Sequence, residues 1–419
     1  MAEITEKITE EEAIPTRNLP EVLITDILTR LPVKSLLRFN CVCKTWCALI
    51  TDPAFVKEHL NRSLASNSNL SLILGYYHHY FSVDLDACEQ EAAVELDHPQ
   101  EISLDSIYDY DLSNEVEGSC DISLGMYNSC LRNGVLGSCH GLLCISNSVV
   151  DMFLWNPSIR THHRLPNAPI ELVRSDFPSL VAHGLGYDPT TDDYKLIRIV
   201  QFVDDDQYSC DSDSSYSDPC ESDVKVFSLS TNSWRRIRDM PYRIYYGGFG
   251  VFANYALHWV AGRDLEPDNF IISFDLQDEE FREVPLPDFL DNYSYMYVGV
   301  LGGQLCFLCR ISSRFEVWVM KDYGVRDSWV KLFTIEQPEV ISSLGHARPL
   351  CYSKNGEVIF NKSDGPLLLY DPRSGRVRTL RIPGAPDRMK AEVYIGSLIP
   401  LNAQDGIEQP GKKKKQKKG

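Results

Sequence analysis

Between Arg17 and Arg62 apolar residues recur every three or four positions, at Leu19, Val22, Leu23, Ile27, Leu28 and Leu31, which predicts a helix starting at Pro20 with one apolar stripe. Pro32 stops it. A second short helix is predicted through Leu36, Leu37 and Phe39, and a third holding Cys43, Trp46 and Ile50. Asp52-Pro53 restarts the chain, with Asp as N-cap and Pro at the first helical position, into Phe55 to Leu60. About forty residues bury too little apolar area to stand alone, so this module has to bury surface against something else.

Beyond Leu70 the period changes to 2, as in Leu70-Ser71-Leu72-Ile73-Leu74 and Glu316-Val317-Trp318-Val319, which predicts strands. This region repeats. Five segments share a strand, a polar turn and a returning strand, and the residues opening those turns are Asn156, Ser228, Asp275, Met320 and Asp371. Their spacings are 72, 47, 45 and 51; taking the acidic run 204–223 as a 20-residue insert shortens the first to 52. Intervals of roughly 40–50 residues are those of four-stranded propeller blades. The segment 70–130 supplies a sixth blade, and 391–401 is expected to return to 70–77 and close the ring, since an open array would leave two exposed edges. A large β-sandwich is the rival that this spacing disfavours.

The fold class is therefore α+β multidomain, a small N-terminal helical module followed by an all-β propeller-like domain of about six blades. The expected divisions are a disordered acidic tail at 1–16, the helical module at 17–62, the β domain at 68–401 and a disordered basic tail at 402–419.

The 419 residues hold 41 Lys and Arg against 59 Asp and Glu, a net charge of −18. That argues against nucleic acid or an anionic membrane as partner and favours a basic protein. The acidity is concentrated: Asp84 to Asp121 contains 13 acidic residues, and 204–223 contains eight with Ser209, Ser212, Ser214, Ser215 and Ser217 among them. The first 15 residues carry five Glu and no apolar run, so the expectation is no secretory signal and a cytoplasmic protein. The Lys run within 411–419 invites nuclear import as readily as it suits a solvated tail. No membrane span is expected, the nearest apolar stretch, Tyr293 to Cys309, being broken by Gly299, Gly302, Gly303 and Gln304. Thirteen irregularly spaced cysteines are expected to be reduced.

Asn18-Leu19-Pro20, Leu31-Pro32-Val33-Lys34-Ser35-Leu36-Leu37-Arg38-Phe39 and Val42-Cys43-Lys44 with Trp46 resemble an F-box. Followed by GLGYDPTTDDYKLIRI, VKVFSLSTNSWRRI and VRDSW, they are similar to plant F-box proteins with an F-box-associated domain, of the constitutive-expresser-of-pathogenesis-related-genes type, with the S-locus F-box proteins as second relatives. The resemblance covers about residues 17–401. It implies the substrate-recognition subunit of a Skp–cullin–F-box ubiquitin ligase, in plants one that controls immune-receptor abundance. By that resemblance Leu19, Pro20, Ile24, Ile27, Leu28, Leu31, Pro32, Leu36, Val42 and Trp46 would dock on a Skp-type adaptor and through it a cullin. Leu28, Leu37 and Phe39 fit internal core at least as well.

Catalytic readings fare worse. Cys306-x-x-Cys309 has zinc-like spacing, yet no second pair is in register, and positions i and i+3 of a strand face opposite ways. Cys139-His140 with Cys144, His78-His79 and His162-His163 lack further ligands at a recognisable spacing, and the glycines of Tyr246-Gly247-Gly248-Phe249-Gly250 suit a strand turn. No cofactor is implied, and the expectation is a non-catalytic adaptor; the alternative is a propeller enzyme or sugar-binding lectin with a helical cap. Trp234, Trp259, Trp318 and Trp329 are expected to be buried between blades.

Overall fold

The computed structural model describes residues 19–76, 79–99, 135–146, 152–170, 178–202, 222–262, 269–288, 293–337, 344, 347–362 and 365–401. Both expected tails, His78, residues 100–134 and 203–221 of the acidic stretches fall outside the described residues.

Four helices come first: α1 (Glu21–Leu28), α2 (Val33–Phe39), α3 (Lys44–Thr51) and α4 (Pro53–Ser66). The two prolines that bracket α1 act as N-caps, Pro20 of α1 and Pro32 of α2, because their fixed φ allows the extended backbone that precedes a first turn. Asp52 caps α4 as its sequence predicts, its carboxylate accepting the amides of Ala54 at 2.9 Å and Phe55 at 3.2 Å.

Twenty-four strands follow among the described residues, arranged as six four-stranded blades, the third and fourth of which are joined into one eight-stranded sheet by a parallel pairing of their inner strands. The first combines β1 (Leu70–Tyr76), β2 (His79–Asp84) and β3 (Val94–Glu95) with the last strand, β24 (Lys390–Ile395). The second holds β4 (Val135–Cys139), β5 (Leu142–Ser146), β6 (Met152–Asn156) and β7 (Thr161–Arg164); the third β8 (Pro178–Asp188), β9 (Asp193–Phe202), β10 (Ser222–Ser228) and β11 (Ser233–Arg236). The fourth holds β12 (Arg243–Ala253), β13 (Ala256–Gly262), β14 (Phe270–Asp275) and β15 (Phe281–Val284). β16 (Tyr293–Leu301), β17 (Gln304–Ile311), β18 (Arg314–Met320) and β19 (Trp329–Ile335) form the fifth. The sixth is β20 (Ala347–Tyr352), β21 (Val358–Lys362), β22 (Leu367–Asp371) and β23 (Arg376–Thr379).

Six inner strands, β24, β4, β8, β12, β16 and β20, neighbour one another in a closed circle. Closure follows the predicted route, with Ile395 opposite Leu70 and Lys390 opposite Gly75. All five predicted turn-opening residues are the last residues of a blade's third strand, and each side chain accepts a backbone amide from its own turn. Asn156 Oδ1 takes Ser158 N at 3.0 Å, Asp275 Oδ1 takes Gln277 N at 2.8 Å, and Asp371 Oδ1 takes Arg373 N at 2.9 Å. Ser228 Oγ and Met320 Sδ do the same for Thr231 and Gly324. The repeat is thus a repeat of turn chemistry.

The acidic insert is shorter than its composition suggests. Ser222 and Asp223 belong to β10, paired with Gln201 and Val200, and Asp223 is buried beside Arg198, Lys225 and Arg236. Asp223 is therefore a strand residue compensated by guanidinium and ammonium groups, and not a loop charge.

Glycines in β12 permit a bulge that brings Phe249 opposite His183 of β8, and a Cβ at Gly250 would lie 2.4 Å from the Trp259 ring. Across the central channel Lys390 Nζ stands 5.6 Å from the centre of the Phe249 ring. Trp259, Trp318 and Trp329 are buried as expected, whereas Trp234 is half-buried, its Nε1 donating to Pro166 O at 2.9 Å with Arg198 over its face. Cys306 and Cys309 pack into two different apolar clusters, one on each side of β17.

Candidate protein-docking surface

The helical module and the propeller share one apolar core. Leu28, Val33, Leu36, Ile50, Phe55 and Val56 are buried together with Leu398, and Ile159 of the β6–β7 turn and Ile399 pack against them. Asn156 locks the junction, its Nδ2 donating to Ile399 O at 2.9 Å and Ser397 O at 3.2 Å while its Oδ1 accepts the Tyr394 hydroxyl at 2.8 Å. Lys57 of α4 pairs with Asp192 in the β8–β9 turn. These contacts place the helices on the face of the ring that carries the inner-strand turns.

Within the module α1 carries two apolar stripes, where its sequence reads as one. Leu28 is 1% exposed and Ile24 half-buried, facing α2 and α4. Leu19, Leu23 and Ile27 fall at steps of four and point outward with Val22, at 57%, 49%, 49% and 78% exposure. A helix apolar on both sides and buried on one has a face left for another molecule. Asp26 braces α1 against α4 by accepting Arg30 and Arg62, whose guanidinium groups hold its carboxyl below the usual range. Burial lowers the pKa of His59, whose Nε2 lies 2.9 Å from Leu31 O.

The ten sequence-picked residues divide by placement. Leu19, Pro20, Ile27, Pro32 and Val42 are exposed, Ile24, Leu31 and Trp46 are half-buried, and Leu28 and Leu36 lie wholly inside the module. Trp46 packs edge-on against Phe39 with centroids 5.4 Å apart. Sequence reasoning misses Val22 and Leu23 as surface residues; the four-residue steps linking Leu19, Leu23 and Ile27 mark a shared stripe, and the packing of the neighbouring helices makes it the outward one. Among the described residues no group of three or more His, Cys, Asp or Glu side chains is placed to hold a metal ion, and no helix is long and apolar enough to cross a membrane.

Residues 17–58 match the F-box domain family, and residues 100–402 match the F-box associated beta propeller domain family. The F-box protein CPR1 of Arabidopsis thaliana is 37% identical over 402 residues, covering 91% of this chain and 88% of that one. An F-box/kelch-repeat protein of the same plant is 29% identical over 410 residues, covering 94% and 99%. Among solved structures, TolB from Acinetobacter baumannii aligns at 12% identity over 81% of this chain and 72% of that one, with a TM-score of 0.39.

Proposed function

Given that the chain belongs to the F-box proteins with an F-box-associated β-propeller domain, we propose that it is the target-recognition subunit of a Skp–cullin–F-box ubiquitin ligase. The observation that carries the reading is the outward stripe of Leu19, Val22, Leu23 and Ile27 on a module whose own core is complete without it. A Skp-type adaptor would cover that stripe together with Pro20, Pro32, Val42 and Trp46, while Leu28 and Leu36 support it from inside. Ubiquitin transfer itself would fall to the partner subunits. The propeller would hold the target, for which the acidic balance favours a basic protein and the family resemblance suggests an immune receptor.

The test is co-purification. The full chain should retain a Skp-type adaptor stoichiometrically, which a propeller enzyme or lectin would not. Leu19→Ala with Pro20→Ala should cost on the order of 2–4 kcal/mol of binding while the β signal in far-ultraviolet circular dichroism is kept. Unchanged adaptor capture by the double variant would sink the assignment, and proximity labelling in ligase-inhibited cells would then report the target of a chain that passes.

A further inference from the structure

The cations of the helical module divide into two groups. Arg30 and Arg62 are held by Asp26, Arg62 also by Glu58, and Lys57 by Asp192. Lys34, Arg38 and Lys44 are exposed, and among the described residues no carboxylate pairs with any of them. Lys34 and Arg38 stand one turn apart on α2, on the side away from its buried Val33 and Leu36, and Lys44 opens α3. The module therefore presents solvent with two things at once, the apolar stripe of Leu19, Val22, Leu23 and Ile27 and a set of cations without counter-charges.

The segment that precedes Leu19 lies outside the described residues, and its sequence complements both features. Glu3, Glu6, Glu10, Glu11 and Glu12 stand against the single Lys7, and Ile4, Ile8 and Ile14 are interspersed among them. Such a segment is too polar to bury a core of its own, so its three isoleucines gain cover only on another surface. It is also tethered to the right place. Ile4 precedes Leu19 by 15 residues, a reach of up to about 50 Å, whereas the eight residues of α1 span only about 12 Å. A tether of that length holds the segment at a millimolar-range effective concentration over the module, so even a weak contact is populated.

We propose that the outward stripe of α1 together with Lys34, Arg38 and Lys44 binds the chain's own acidic segment, Glu3 to Ile14, and that a Skp-type adaptor has to displace this segment in order to dock. The isoleucines cover the stripe and the glutamates supply the missing counter-charges. The free chain then hides the apolar surface that would otherwise face water, and adaptor affinity is lowered by the fraction of time the segment is seated.

The effect on docking rests on the adaptor reading, and the experiment keeps the two apart. The full chain is treated with a carbodiimide, which joins carboxylates to amines already in ion-pair contact, and the monomer is mapped by peptide mass spectrometry. Links from Glu6, Glu10, Glu11 or Glu12 to Lys34 or Lys44 are expected, and a saturating Skp-type adaptor should erase them. Ile4→Ser with Ile8→Ser, in a segment that takes no part in the module's core, should lose most of the links and bind the adaptor roughly three- to ten-fold more tightly. Glu10→Gln with Glu11→Gln and Glu12→Gln should gain affinity likewise, and the gain should shrink at high salt, where the natural chain's own ion pairs are screened. Absence of links between the segment and Lys34 or Lys44 overturns the proposal. So does equal adaptor affinity in the natural chain and the isoleucine variant. If neither chain binds an adaptor, the adaptor reading fails, while the links still uphold or refute the seating of the segment.

Discussion

His258 shows how a single side chain ties two blades together and sets a pH limit. It is buried, with Nδ1 3.1 Å from Val251 O and Nε2 2.8 Å from the Tyr323 hydroxyl on the next blade, an arrangement that suits a neutral ring donating at Nδ1 and accepting at Nε2. Burial pushes its pKa down to about 4, and burial with the nearby Arg198 pushes that of His183 to about 3. In the unfolded chain both would titrate near 6.5. Below that pH the unfolded state therefore binds protons that the folded state refuses, and stability falls as pH falls, with a slope of roughly 1.4 kcal/mol per pH unit for each such histidine. Urea midpoints measured from pH 7 to 4.5 should decline in this way. In His258→Gln, whose amide can both donate and accept, the slope should shrink by one proton. An unaltered slope would mean that His258 takes up its proton within the fold.

At the scale of the element, what was legible in the sequence was what recurs. The spacing of Asn156, Ser228, Asp275, Met320 and Asp371 gave the blades because each of those side chains performs one local task, holding a third-to-fourth-strand turn. The inner strands could not be read as readily, since β12 departs from period 2 at a bulge whose purpose, seating Phe249 beside β8, is a tertiary contact. The same limit applied to α1: periodicity reveals that Leu19, Leu23, Ile27 and Leu28 are apolar, but only the neighbouring helices decide which of them faces inward. Asn156 adds a second duty that no turn motif announces, bonding to Ser397, Ile399 and Tyr394 beneath the helical module. Asn156→Ala leaves several buried groups unpaired at roughly 1–3 kcal/mol each, so a loss of about 3 kcal/mol or more is expected. Limited proteolysis should then cut more readily between α4 and β1. A melting temperature equal to that of the natural chain would show that the junction is held by apolar packing alone.

For the whole molecule, the direction of the strands separates two faces. The helical module covers turns between first and second strands, and between third and fourth, on one side of the ring, through Asp192, Ile159 and the segment after β24. Phe202 and Ser222, at the ends of β9 and β10, lie at second-to-third-strand junctions and so on the opposite side. The sequence between them, 203–221, carries seven acidic residues and lies outside the described residues. Charge concentrated in that segment would attract a basic target, a steering effect worth roughly 10–1,000-fold in association rate and screened within about 10 Å at 0.1 M salt. Removing 204–221 while keeping Ser222 and Asp223 should barely move the melting temperature, because a long loop contributes little beyond closure entropy. Extending the deletion through Asp223 should destabilise the blade, since Arg198, Lys225 and Arg236 would lose the carboxylate they share. The shorter deletion should slow target capture, and the deficit should be largest at low salt. Equal capture and equal turnover by the deleted and intact chains, across salt concentrations, would reduce the acidic segment to a spacer and move recognition onto the blades themselves.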